Sequence, residues 1–175
     1  MAPDHPARPI FTRLMLWGWL ALVAGCGQEQ APAPGNGTAP PAFTAQVLDG
    51  GQTRVPQDYA GRVVAVRFWA EWCPYCRKEM VELQPVYARL KPRGLEILAV
   101  NVAQDADTAR AFTRPLGIGY PVLLDPEGAT ARAWGVRALP ITWLLDRQGV
   151  VRGKIVGEAT PEVFEAQVKA LLDAD

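Results

Sequence analysis

A chain of 175 residues with 18 basic and 18 acidic side chains is long enough for one well-filled domain and carries no formal net charge. No basic stripe or acidic tail breaks that balance, so nucleic acid is not an expected partner. Sixteen prolines are many for a compact domain, but seven of them fall in the first 41 residues, which sets that stretch apart from a folded core.

Residues 1–13 carry Arg8 and Arg13 and read as the basic start of an export signal. The apolar run that follows, residues 14–23, is short for a bilayer crossing, which takes about 20 residues. It closes on Val23-Ala24-Gly25-Cys26, which resembles the lipobox of bacterial lipoproteins. The resemblance implies that residues 1–25 are removed as a signal peptide and that Cys26 is lipidated and holds the protein on a membrane outside the cytoplasm. Ordinary cleavage near Ala24 and an uncleaved anchor are the alternatives. Without Asp4, Arg8 and Arg13 the chain keeps 16 basic and 17 acidic residues. Residues 28–42 (QEQAPAPGNGTAPPA) have little apolar bulk to offset chain entropy. Residues 26–42 are therefore expected to be a flexible Pro/Ala/Gly tether headed by the lipidated cysteine.

The folded domain is expected over residues 43–175. Residues 43–48 and 52–55, joined by Asp49-Gly50-Gly51, read as a β-hairpin, and residues 62–69 as a buried central strand with no sustained polar face. From Cys73 onward, Met80, Leu83, Tyr87 and Leu90 recur at helical steps, with Pro85 predicting a kink. A strand over 95–102, a helix over 105–116 capped by Asp105 or Asp107, a strand over 120–124 and a short helix over 126–134 follow. Residues 141–146 and 150–156 form an antiparallel pair, and Thr160-Pro161 opens a last helix. Alternating strands and helices with hairpins at both ends predict an α/β fold with a mixed central sheet flanked by helices.

The chemistry lies in Trp72-Cys73-Pro74-Tyr75-Cys76. Two cysteines spaced C-x-x-C behind a strand and ahead of a helix are the pattern of a dithiol redox site. Unpaired N–H groups and the positive end of the helix dipole favour a thiolate, so the leading thiol should ionise well below its free value of about 8.5. A structural zinc site needs four ligands. The other candidates, Cys26 and His5, both fall in the leader region, so no metal is expected. No cofactor beyond the cysteine pair is expected either.

Strand, W-C-x-x-C, helix and a later hairpin opening on Leu139-Pro140-Ile141-Thr142 is the order of the thioredoxin superfamily. The chain resembles its TlpA/ResA-like thiol–disulfide oxidoreductases, extracytoplasmic proteins related to those of cytochrome c maturation. The likeness covers about residues 43–172, with residues 43–61 similar to that group's N-terminal hairpin and residues 105–137 to its central αβ insert. It implies a three-layer thioredoxin-like fold. It also implies that Cys73 is an exposed nucleophile, Cys76 a shielded resolving thiol, and Trp72 a flanking residue. Pro140 matches the group's cis-proline, which offers backbone to an incoming peptide; an ordinary trans proline is the plain alternative. Glu79 matches a glutamate implicated in proton handling, the alternative being a solvated residue of the first helical turn. Arg67 departs from the group, which often has asparagine there and, in many thioredoxins, aspartate. Pointing inward, Arg67 needs a partner, and pairing with Glu79 would hold that carboxylate ionised and weaken a shuttle role. Reaching sideways to solvent is the other possibility.

The expected partners are protein disulfides or dithiols, with a membrane electron donor of the CcdA/DsbD type implied by the resemblance, and a monomer is expected. Pro74-Tyr75 is the dipeptide of glutaredoxins, near −200 to −230 mV, and the mature chain lacks the histidine of DsbA-type oxidases, so reduction is the favoured direction. A disulfide-forming oxidase or isomerase and a non-catalytic envelope binding module are the alternatives. Ala70, three residues before Cys73, replaces the threonine of a peroxiredoxin T-x-x-C, and a Sco-like copper carrier would need C-x-x-x-C and a histidine ligand.

Overall fold

The structure is a computed structural model and describes Met1 and residues 33–174. The expected signal peptide, the expected lipidation site Cys26 and the expected tether as far as residue 32 lie outside the described residues. In chain order the elements are β1 (Phe43–Val47), β2 (Gln52–Val55), β3 (Val63–Trp69), α1 (Cys76–Leu90), β4 (Leu95–Val102), α2 (Ala106–Thr113), β5 (Val122–Asp125), α3 (Ala129–Ala133), β6 (Ile141–Leu145), β7 (Val151–Val156) and α4 (Pro161–Leu172). The strands make one seven-stranded mixed sheet in the order β2-β1-β5-β4-β3-β6-β7. The parallel pairs β3/β4 and β4/β5 form its centre, and antiparallel pairs complete both sides.

β3 is buried at all seven positions, and its alternation decides what covers each face of the sheet. Val63, Ala65 and Trp69 join a core with Met80, Leu83, Tyr87 and Leu90 of α1, Phe112 of α2, and Phe164 and Val168 of α4. Val64, Val66 and Phe68 join the opposite core with Trp134 and Trp143. The apolar periodicity expected for α1 is thus its core face, and the helix runs unbroken through Pro85. Asp105 caps α2 by accepting from Thr108 N at 2.7 Å, and Thr160 caps α4 ahead of Pro161.

Several boundaries shift from the sequence expectation, among them the end of α2 at Thr113 and the start of α3 at Ala129, and two of the shifts bear on the site and the core. α1 starts at Cys76 rather than Cys73, because Pro74 and Tyr75 turn the chain before the helix begins. The domain also begins well before residue 43. Pro34 and Pro40 are buried, and Gly37 N and Thr38 O bond to Val151 O and N at 2.7 and 3.0 Å. Trp134 Nε1 donates to the Pro41 carbonyl at 3.0 Å. Among the described residues the α-helix on this face is α3, five residues long. A strap of residues 34–42 adds to its cover and pairs with the outer edge of β7, so that part of the expected tether is folded.

Candidate active site

Parallel pairing of Trp69 with Asn101 and antiparallel pairing of Phe68 with Ile141 bring three segments to one end of the sheet: residues 70–75, residues 103–105 and residues 139–140. The first segment carries the chemistry. Cys73 and Cys76 are joined as a disulfide, with Cα atoms 5.4 Å apart. Cys76 is the first residue of α1, and Tyr75 at the N-cap makes no side-chain cap. Backbone N–H groups of the first turn are therefore not taken up by a capping side chain next to the sulfurs.

Cys76 is fully buried, as expected of a resolving thiol, but Cys73 is only 2% exposed. The expectation of an exposed Cys73 is not met in this disulfide form. A sulfur bonded to a fully buried one is held against the protein interior. Trp72 and Tyr75, at 68% and 53% exposure, form the open surface instead. Pro74 fills the turn between the cysteines.

Register places Pro140 opposite Trp69, and the Leu139–Pro140 peptide bond is cis, as the resemblance implied. Proline has no N–H, and the Pro140 carbonyl already accepts from Gly157 N at 2.9 Å. Backbone offered to a peptide at this point would come chiefly from Leu139. Val55–Pro56, at the end of β2, is a second cis bond that no sequence signal indicated.

Arg67 points inward. Its Nη1 and Nη2 donate to the two carboxylate oxygens of Glu79 at 2.7 and 2.5 Å, and Nη1 also donates to Thr142 Oγ1 at 3.1 Å. Both charged side chains are about 1% exposed, so the pair is buried beneath the start of α1. A lone charge in this core would be costly, and the fork geometry is what makes two of them tolerable. Arg67 Nε has no hydrogen-bond partner among the described residues. Neither oxygen of Glu79 is left unengaged, which bears on any proton-carrying role. Tyr120, close enough to feel both charges, donates its hydroxyl to the Met80 carbonyl at 2.7 Å, and burial raises its pKa.

Gln104 is a site residue that sequence reading missed. Its Oε1 accepts from Glu71 N at 2.8 Å and from Asn101 Nδ2 at 2.9 Å, tying the segment before Cys73 to the end of β4. Ala103 makes this reach by adopting φ of 54°, a left-handed conformation unusual for a residue with a Cβ. Nothing in the composition around Gln104 marks it; only the fold brings it to Glu71. Lys78 adds a further tie, bonding Glu158 at 2.6 Å between α1 and the chain after β7.

A family model described as AhpC/TSA family matches residues 36–154. The thiol-disulfide oxidoreductase ResA of Geobacillus thermodenitrificans is 33% identical over 135 residues, 77% of either chain. The structure of a thiol:disulfide interchange protein DsbE from Chlorobium tepidum is similar with a TM-score of 0.75 and 31% identity, over 80% of this chain and 99% of that one. A secreted thiol-disulfide isomerase from Corynebacterium glutamicum gives 0.69 and 28%, over 76% and 84%.

Proposed function

Because this chain belongs to the AhpC/TSA family, and within it is a thiol–disulfide oxidoreductase of the ResA type, we propose that it reduces protein disulfides outside the cytoplasm while held on a membrane by Cys26. The observation that carries the proposal is the Cys73–Cys76 disulfide at the mouth of α1, at the same end of the sheet as the Leu139–Pro140 segment. In the reduced protein the Cys73 thiolate attacks one sulfur of a substrate disulfide. That S–S bond breaks, the other substrate sulfur leaves as a thiolate and takes a proton, and a mixed disulfide remains. The Cys76 thiolate then attacks Cys73 Sγ and releases the second substrate thiol, leaving the pair oxidised. Two electrons have passed to the substrate, and an external dithiol donor in the membrane, of the CcdA/DsbD type, restores the pair.

Cys73 is assigned as the attacking sulfur because it lies ahead of the helix and retains slight exposure, whereas Cys76 has none. Trp72 and Tyr75 provide the apolar surface on which a polypeptide rests, and Leu139–Pro140 borders it. The Arg67–Glu79 pair fixes the floor. The location outside the cytoplasm draws on the leader and lipobox pattern and fits the secreted neighbour. No helix among the described residues is long and apolar enough to cross a membrane; the assignment of attachment to Cys26 draws on the lipobox pattern alone. Apocytochrome haem-site cysteines and copper-centre cysteines are candidate substrates.

A redox titration of the Cys73–Cys76 pair tests the direction. A midpoint in the glutaredoxin range or below, about −200 mV or lower, is expected, and one above about −150 mV would make the protein an oxidant instead. Peroxide reduction is a separate activity: Ala70 supplies no hydroxyl near Cys73, so turnover of hydrogen peroxide is not expected and its observation would contradict the assignment.

A further inference from the structure

Trp72 and Leu139, the residues just before Cys73 and Pro140, line one cavity of about 230 Å³. Between them it is lined by small and aliphatic side chains, among them buried Ala131 and half-buried Val136. Two exposed arginines, Arg132 and Arg137, line it as well, and no acidic side chain does. Arg132 donates to the Glu127 carbonyl at 2.7 Å, but neither guanidinium is paired with a carboxylate among the described residues. Elsewhere on the surface arginines are commonly neutralised: Arg54, Arg62, Arg89, Arg93, Arg110 and Arg152 each meet an acidic partner. An apolar recess bearing two uncompensated cations beside the reactive pair matches a ligand that is apolar and anionic together.

Resting on the oxidoreductase reading, we propose that Arg132 and Arg137 make the protein selective for substrate disulfides flanked by an acidic residue. An adjoining apolar side chain of the substrate enters the cavity beside Trp72, and the substrate carboxylate meets the guanidinium groups. Arginine suits this role because its planar fork holds a carboxylate by two hydrogen bonds. Exposed charges of this kind act mainly on encounter and specificity, and two of them supply a preference of about five- to tenfold that salt weakens.

The test uses two synthetic peptides, each with one internal disulfide, identical except for Leu-Glu or Leu-Lys beside the reactive cysteine. Their kcat/KM values are compared for the reduced wild-type protein, for the Arg132→Glu/Arg137→Glu variant and for the milder Arg132→Gln/Arg137→Gln variant. The ratio of the two peptides is internal to each protein, so a variant of lowered overall activity still reports it. The acidic peptide is expected to be favoured about five- to tenfold by the wild type, with the ratio near one in the glutamine variant and inverted in the glutamate variant. Equal rates in the wild type, or a preference that survives both variants, would overturn the proposal. Hydroxyethyl disulfide, uncharged and too small to fill the cavity, separates the two readings on the wild-type protein. Its reduction alongside a lost peptide preference removes only the selectivity, whereas failure to reduce it removes the oxidoreductase reading too.

Discussion

Arg67 sits in a strand whose other six residues are all apolar, and it is tolerated there because Glu79 takes both ends of its guanidinium fork. Removing one partner leaves a buried charge alone, which costs more than the pair contributes. Arg67→Met is therefore expected to lower the unfolding free energy by about 3–5 kcal/mol, and Arg67→Met/Glu79→Gln to recover most of that loss, as read by urea denaturation. A double variant no more stable than the single one would show that the fork is not what offsets the burial. Gln104 works on the loop rather than on stability. Among the described residues its amide oxygen is what ties Glu71 N to the end of β4, and the dithiol form lacks the disulfide that otherwise stiffens the segment. Gln104→Met, which keeps the shape and loses the acceptor, is expected to slow attack on a protein disulfide about tenfold, while Gln104→Glu stays within about twofold of wild type. Equal rates for all three proteins would remove Gln104 from the site. The Arg67–Glu79 contact was legible in advance from the need of an inward arginine for a partner. Gln104 was not, since its role comes from a left-handed turn at Ala103 that an alanine does not advertise.

Among the elements, the β6–β7 hairpin shows how one carboxylate closes a turn. Asp146 accepts from Gln148 N and Val150 N, both at 2.9 Å, and from Arg152 Nε at 2.6 Å. Burial pushes its carboxyl up, but the Val150 N–H, the Arg152 guanidinium and the Gln148 N–H outweigh that and hold it below the ordinary carboxylate value. The folded state therefore binds fewer protons than the unfolded chain between the folded value and about 3.9. The contribution is whole above the unfolded value and is lost as pH falls through the folded one. Asp146→Ala is expected to cost about 2 kcal/mol at pH 7, and the gap from wild type should narrow below about pH 4. A gap that stays constant in acid would assign the loss to packing instead. The strap of residues 34–42 is the element that composition misled. Proline, alanine and glycine without apolar bulk read as a tether, yet a short pairing with β7 and one indole bond from Trp134 are enough to fold it. A protein starting at residue 43 is expected to melt about 5–10 °C below one starting at residue 33, and identical Tm values would return the strap to the tether.

For the molecule as a whole, the sheet and its helices were readable because each apolar period matched one face of an element. β3, the apolar face of α1, an aspartate cap at residue 105 or 107, the Thr160 cap and the β6–β7 hairpin all followed from pattern alone, while the start of α1 and the choice of Asp105 came from the structure. The cis Leu139–Pro140 bond was legible only through family resemblance, since nothing local forces that isomer. Burial of Cys73 was not legible, because it comes from the fold, which sets Cys73 in the core cluster with Trp69, Cys76 and Met80. These parts combine into one arrangement: a central strand delivers a dithiol to the mouth of a helix, a buried ion pair sets its floor, and two neighbouring loops frame the approach. Its central claim is that Cys73 attacks and Cys76 resolves. The direct test is to express Cys76→Ser and Cys73→Ser variants in the native envelope and look for mixed disulfides that a reductant dissolves. Cys76→Ser is expected to trap partner proteins through Cys73 while Cys73→Ser traps none, and the reverse pattern, or no trapping by Cys76→Ser, would contradict the account.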